Sequence, residues 1–321
     1  MPSWRIFFFK KVVSAVCLDK FLDMAAKLKI WIGAARLRTL PLSVSGIIVG
    51  CGMAFAEGSS NWQLFAMLMA TTVLLQILGN FANDLGDFQH GTDNADRVGP
   101  QRTLQSGGLT VSEMKLGIAV AALLAFLCGI LMLQMSFHLG LHFWLFVGLG
   151  VAAIVAAMRY TMGRNPFGYR GLGDLMVLVF FGFATVAGSY FIMTHQISPN
   201  AIMMSLAIGF MSVGVLNVNN LRDSASDRQS GKMTMVVKFG TQFGQIYHLV
   251  LCLSAMALIV VCSLNEHLAV GLLWVALPMV LLIAHGIRVF KAKDVKTLDP
   301  ELKKLSLTTL LMSVLYVAAI L

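Results

Sequence analysis

Of 321 residues, 58% are apolar and 12% charged, with a mean hydropathy of +0.80. Soluble domains are about half apolar and about a quarter charged, so this composition excludes an ordinary soluble fold and predicts an all-α polytopic membrane protein. The net charge of +9 raises nucleic acid as a partner, but the basic residues fall in short loops between apolar runs, which points to membrane topology and to no nucleic acid.

The chain begins with Arg5, Lys10, Lys11 and Lys20 around two short apolar patches, 6–9 and 12–18. Charge interrupts the patches and no small-residue cleavage site follows. Residues 1–27 are therefore expected to form a basic interfacial segment, not a cleaved signal peptide. Met24 is an alternative start, which would make 1–23 an extension without a catalytic role. A helix needs about 17–25 apolar residues to cross a bilayer. Nine runs qualify, near 37–56, 62–82, 112–134, 141–159, 173–193, 200–221, 242–264, 269–288 and 305–321, and they make 28–321 the transmembrane domain. All 24 Lys and Arg lie before or at the start of the first run, or in and beside the loops after runs two, four, six and eight. The loops near 57–61, 134–141, 194–200 and 264–268 contain none. The positive-inside rule then puts the N-terminus and the basic loops on the cytoplasmic face of the cell inner membrane. Cys17, Cys51, Cys128, Cys252 and Cys262 show no CxxC or metal-finger spacing and read as small buried residues. The seven histidines show no ligand spacing either.

The second run leads into a polar stretch, 80–108, that concentrates Asn80, Asn83, Asp84, Asp87, Asp93 and Asp96, followed by Arg97 and Arg102. Asn80, Asn83, Asp84 and Asp87 are spaced i, i+3, i+4, i+7, so they share one face if the helix continues to Asp87. Gly91 suggests a turn that returns Asp93. After the sixth run, Asn219, Asp223 and Asp227 are spaced i, i+4, i+8, again one helical face, and Gly231, Lys232 and Thr234 follow. The two motifs, NDLGD and NNLRD, each end the second helix of a four-helix set. That predicts two parallel four-helix repeats, runs 1–4 and 5–8, with the ninth left over and both motifs offered to one central cavity. Two acidic faces in one cavity can hold divalent cations that bridge to a diphosphate, since Mg²⁺ is held by one or two carboxylates plus substrate phosphates. A single acidic loop would read as solvated charge; two in register argue for a site. Arg102 and Lys232 closely follow the acidic motifs and are the favoured phosphate ligands. Topology alone accounts for Arg97, Arg159, Arg164, Arg170, Arg222, Arg228 and Lys238 equally well. Tyr160, Tyr169 and Asp174 border the same side and suit an aromatic co-substrate or a cation, although an interfacial aromatic belt also puts tyrosines there.

The pair NDLGDFQHGTD and NNLRDSASD, on the second and sixth of nine helices, resembles the UbiA superfamily of intramembrane prenyltransferases. Four further segments, AARLRTLPLSVSG (34–46), VGPQRTLQSG (98–107), GYRGLGDL (168–175) and GKMTMVVKFG (231–240), resemble its branch acting on 1,4-dihydroxy-2-naphthoate in menaquinone biosynthesis. The likeness covers about 28–321. Motif one departs from the common NDxxDxxxD because Asp87 and Asp93 are six apart, a spacing that this branch shares. The resemblance implies a UbiA-like fold and Mg²⁺-dependent transfer of a polyprenyl group from polyprenyl diphosphate to 1,4-dihydroxy-2-naphthoate, with loss of CO₂. It implies metal and diphosphate roles for Asn83, Asp87, Asp93, Asp223 and Asp227, supported by Asn80, Asp84 and Asn219. Arg102 and Lys232 are then phosphate ligands, and Arg164, Tyr169 and Asp174 lie near the acceptor. Another aromatic acceptor, such as 4-hydroxybenzoate, is the alternative within the class. A cation-coupled transporter would need acidic residues near the bilayer midplane, whereas these cluster at helix ends.

Overall fold

The computed structural model describes residues 24–92, 101–266 and 271–321, and among them there is no strand. Helix α1 (Met24–Ala35) bends by 60° into α2 (Leu40–Ala56) through a short 3₁₀ turn at Leu37–Thr39. The following helices are α3 (Trp62–Gln89), α4 (Val111–Ser136), α5 (Leu141–Arg159), α6 (Gly173–Thr194) and α7 (Pro199–Arg222). Short helices α8 (Ser224–Gln229) and α9 (Met235–Phe239) lead to α10 (Thr241–Asn265), α11 (Gly271–Lys291) and α12 (Asp299–Ile320). Local signals set the starts. The Asn61 side chain accepts from the Leu64 N–H at 2.9 Å, Thr110 and Glu113 form a capping box, and Ser198 caps α7 with Pro199 at its first turn; each satisfies otherwise orphaned N–H groups.

Among the described residues, eight helices are long and apolar enough to cross a membrane, and a ninth counts when the bent pair α1–α2 is taken as one span. The protein is a multi-pass membrane protein. Of the expected interfacial segment 1–27, residues 1–23 lie outside the described residues; 24–27 open α1. Helix α3 runs on past the apolar run to Gln89 and α12 begins at Asp299, so both extend into the polar segments that carry the site.

Neighbouring helices pack in the same succession twice: α2 on α3, α3 on α4 and α4 on α5, then α6 on α7, α7 on α10 and α10 on α11. The ninth span, outside both repeats, packs between them. Helix α12 packs on α2, α7 and α11, burying Leu305, Met312 and Tyr316, and so closes the second set against the first. Close approach depends on small residues: a Cβ on Gly182 of α6 would lie 2.5 Å from the Ser205 carbonyl oxygen of α7. Large apolar side chains such as Leu123, Leu131, Trp144 and Leu149 face outward on α4 and α5, as lipid-facing surfaces require.

Candidate active site

The last turns of α3 hold Asn80, Asn83, Asp84 and Asp87 on a continuous helix, as the spacing predicts. Asn80, Asn83 and Asp87 line a cavity of about 1360 Å³ inside the bundle. Its polar end adds Asn219, Arg222, Lys232, Tyr160, Arg36 and Arg102, while its far end is walled by residues such as Leu68, Leu133, Phe146, Phe180 and Phe191. Such a cavity suits a molecule with an anionic head and a long apolar tail.

Lys232 joins the two acidic motifs. Its Nζ lies 3.8 Å from Asp87 Oδ1 and 3.9 Å from Asp227 Oδ1, and 5.4 Å from the centre of the Tyr169 ring. The backbone fixes it there: the Lys232 N–H donates to the Asp227 carbonyl at 2.8 Å, after a turn in which Gly231 takes φ 73°. Met233 N–H donates to the Tyr169 carbonyl at 3.1 Å, tying this turn to the short 3₁₀ helix Phe167–Arg170. Tyr169 Oη donates to Asp87 Oδ1 at 3.0 Å, bonds the Thr92 hydroxyl and packs on His90, ring centres 4.8 Å apart. Burial pushes the Lys232 ammonium towards neutrality, but the Asp87 and Asp227 carboxylates outweigh it and hold the pKa above the ordinary lysine value. Burial, reinforced by Asp87, raises Tyr169; burial pushes Tyr160 up to about 12. At neutral pH the lysine is therefore charged and both phenols keep their protons.

The other motif-one residues support this arrangement. Asp84 is buried, does not line the cavity, and pairs with Arg36 and with Arg102 Nη1 at 3.1 Å, so it positions two cavity-lining cations. Asn80 Nδ2 donates to the Ala35 carbonyl at 2.8 Å and to Thr39 Oγ1 at 3.1 Å, which locks α3 to the bend between α1 and α2. Thr161 Oγ1 bonds the Ala82 carbonyl at 3.0 Å and Asn83 Oδ1 at 3.1 Å. That contact exists because Gly86 has no side chain; a Cβ there would lie 2.6 Å from the Thr161 backbone.

Motif two keeps the backbone bonds of a single helical face, Asp223 N–H to the Asn219 carbonyl at 3.0 Å and Asp227 N–H to the Asp223 carbonyl at 2.8 Å. A one-residue break at Asp223 separates α7, which ends at Arg222, from α8, which carries Asp227. At the break the Arg222 guanidinium folds back on Asp223 in a two-pronged contact, Nε to Oδ1 at 2.8 Å and Nη2 to Oδ2 at 2.6 Å. Arg222 also donates to Asn219 Oδ1 at 2.8 Å and pairs with Asp299 of α12. Asn219 lines the cavity, whereas Asp223 and Asp227 stand behind its wall. Asp93 lies outside the described residues. Arg164 is exposed on its loop and does not line the cavity. Asp174 opens α6, bonds Tyr247, and lines a small void behind Tyr160 and Lys232 instead of the cavity. Sequence reasoning missed Arg36, Thr161 and the α12 residues Asp299, Lys303 and Lys304. Arg36 stood within the 34–46 segment, and the i, i+4 spacing of Asp299 and Lys303 was a signal for one face.

Among the described residues, no group of three or more His, Cys, Asp or Glu could hold a metal ion. Two carboxylates, Asp87 and Asp227, flank one ammonium at nearly equal distance. That donor set fits Mg²⁺, which takes one or two carboxylates and fills its shell with water and phosphate oxygens.

Residues 43–312 match the UbiA prenyltransferase family. The chain belongs to that family. A UbiA-family relative, "1,4-dihydroxy-2-naphthoate octaprenyltransferase" of Haemophilus influenzae, is 38% identical over 296 residues, covering 90% of this chain and 95% of that one. Two solved UbiA homologs share the fold. The one from Aeropyrum pernix K1 has a TM-score of 0.63 at 16% identity, covering 88% of this chain and 95% of that one. The other, from Archaeoglobus fulgidus and bound to DMAPP and Mg²⁺, has a TM-score of 0.57 at 16% identity, covering 88% and 98%.

Proposed function

We propose that this UbiA-family protein transfers a polyprenyl group from polyprenyl diphosphate to the ring of 1,4-dihydroxy-2-naphthoate, with Mg²⁺ and with loss of the carboxylate as CO₂. The product is demethylmenaquinone, formed in its reduced state. One observation carries the reaction type: Lys232, charged and buried between Asp87 and Asp227, stands at the polar end of a cavity whose other end is apolar. The naphthoate as acceptor is supported by the name and close similarity of the Haemophilus influenzae relative.

Mg²⁺, held by Asp87 and Asp227 with Asn83 and Asp93 as further members, would supply charge stabilisation for the diphosphate, while Asp223, paired with Arg222 behind the wall, supports the site from outside. The chain's own residues do the rest. Lys232 neutralises negative charge that develops as the allylic C–O bond breaks and the electron pair leaves with diphosphate, with Arg102 and Arg36 close by. The electron-rich ring carbon then forms the new C–C bond. The Tyr160 and Tyr169 rings border this end and favour positive charge on the prenyl carbon, while the apolar wall excludes water that would capture it. The polar end is assigned to the cytoplasmic side of the inner membrane from the basic loops, within a catalytic domain spanning 28–321 and an interfacial segment 1–27. Purified protein given polyprenyl diphosphate, Mg²⁺ and either 1,4-dihydroxy-2-naphthoate or 4-hydroxybenzoate should prenylate the former and stop with EDTA. Product from 4-hydroxybenzoate alone would overturn the choice of acceptor.

A further inference from the structure

Among the described residues, six cations line the cavity: Arg36, Arg102, Arg222, Lys232, Lys303 and Lys304. Five are committed. Arg36 and Arg102 hold Asp84, Arg222 holds Asp223 and Asp299, and Lys232 stands between Asp87 and Asp227. Lys304 donates to Glu301 at 2.6 Å. Among the described residues, the Lys303 side chain, which lines the cavity at its solvent-exposed edge, has no ion pair or hydrogen bond. Its natural i, i+4 partner, Asp299, is taken by Arg222.

The turn that carries Lys303 is pinned from two sides. Asp299 ties it to Arg222 and so to Asn219 and Asp223 of motif two. Glu301 is buried and ties it to α11, accepting from His285 Nδ1 at 2.7 Å and from Arg288 Nε at 3.0 Å. His285 is backed in turn by His248, ring nitrogens 2.9 Å apart. Lys303 is thus an uncommitted charge on a rigid support at the polar end of the cavity. The proposed reaction brings two anions there, a diphosphate and an aromatic carboxylate. The first has Lys232 and the acidic motifs; the second needs a cation of its own.

We infer that Lys303 binds the carboxylate of the aromatic acceptor and orients its ring, an inference that rests on the proposed prenyl transfer. An ammonium is a point charge without the two-pronged grip of a guanidinium, so it attracts a carboxylate without clamping the group that must leave as CO₂. The test is steady-state kinetics of Lys303→Ala and Lys303→Gln, with Lys293→Ala, equally exposed but outside the cavity, as control. Each Lys303 variant should raise the acceptor KM roughly ten- to hundredfold, the range of a charge-assisted hydrogen bond, with the KM for polyprenyl diphosphate unchanged. An acceptor analogue without the carboxylate, 1,4-dihydroxynaphthalene, should bind wild type and both variants equally. An unchanged KM for the naphthoate, or a rise in the polyprenyl diphosphate KM instead, overturns the assignment. Absence of wild-type product from the naphthoate would sink the underlying reading and this inference with it. Wild-type product with an unresponsive KM would sink the inference alone.

Discussion

Replacing Lys232 by Met keeps an apolar stem but removes the ammonium that stands between Asp87 and Asp227. At separations of 3.8 and 3.9 Å, each contact carries a Coulomb attraction of about 4 kcal/mol at an effective dielectric near 20. Desolvation of the three charges offsets much of that sum. Removing the charged partner of a buried carboxylate costs about 3–5 kcal/mol; here two carboxylates lose their shared cation and repel each other, although Asp87 keeps its hydrogen bond from Tyr169. A divalent cation restores positive charge between them. Lys232→Met should therefore unfold at a lower temperature than wild type without metal, and Mg²⁺ should raise its midpoint by more than it raises that of wild type. Prenyl transfer should fall by about 10²–10³, the loss typical of a removed charge-stabilising donor. Thermal unfolding in detergent, followed by intrinsic fluorescence with and without Mg²⁺, reads the first two effects. A variant as stable as wild type, or one whose response to Mg²⁺ is no larger, would refute the placement of Lys232 between the motifs.

Three further outcomes check neighbouring contacts. Asp87→Asn should abolish Mg²⁺-dependent prenyl transfer while the protein keeps its helical circular dichroism, and near-normal turnover would remove Asp87 from the site. Tyr169→Phe deletes the hydrogen bond to that carboxylate; a bond to a charged group contributes about 1.5–3 kcal/mol, so turnover should drop by tenfold or more, on the scale of about 1.4 kcal/mol per decade. Asp84→Ala removes the buried carboxylate that Arg36 and Arg102 share, and chemical or thermal unfolding should show a loss of about 3–5 kcal/mol.

Motif one was legible because its information is local. The i, i+3, i+4, i+7 spacing predicts one face for as long as the helix persists, and nothing in 80–89 breaks it: no proline, and a glycine, Gly86, whose cost is offset by the contact with Thr161. Motif two has the same regular spacing and keeps its i to i+4 backbone bonds, with a one-residue break at Asp223. What the spacing could not show is Arg222, whose guanidinium reaches Asp223, Asn219 and, 77 residues away, Asp299. A spacing rule places residues on a face; it does not show which buried cation engages them. The partners of Asp84 were hidden for a related reason. Composition shows a carboxylate among carboxylates, and only the fold shows that the bend between α1 and α2 delivers Arg36 onto it.

The treatment of the last helix shows a different limit. Hydropathy registers the apolar run from 305 onward and passes over 299–304, where Asp299, Glu301, Lys303 and Lys304 dilute the signal. Yet the apolar part of α12 only has to pack, on α2, α7 and α11, and many sequences would do that. The charged turn has narrower demands. Buried Arg222 must meet Asp299, and buried Glu301 must meet His285 and Arg288, because a buried charge left unpaired would cost more than the packing around it returns. A membrane helix whose first turn is charged and pinned on two sides costs more to place than one held by packing alone. That cost is accounted for if the turn serves the cavity it borders, which is where Lys303 and Lys304 are found.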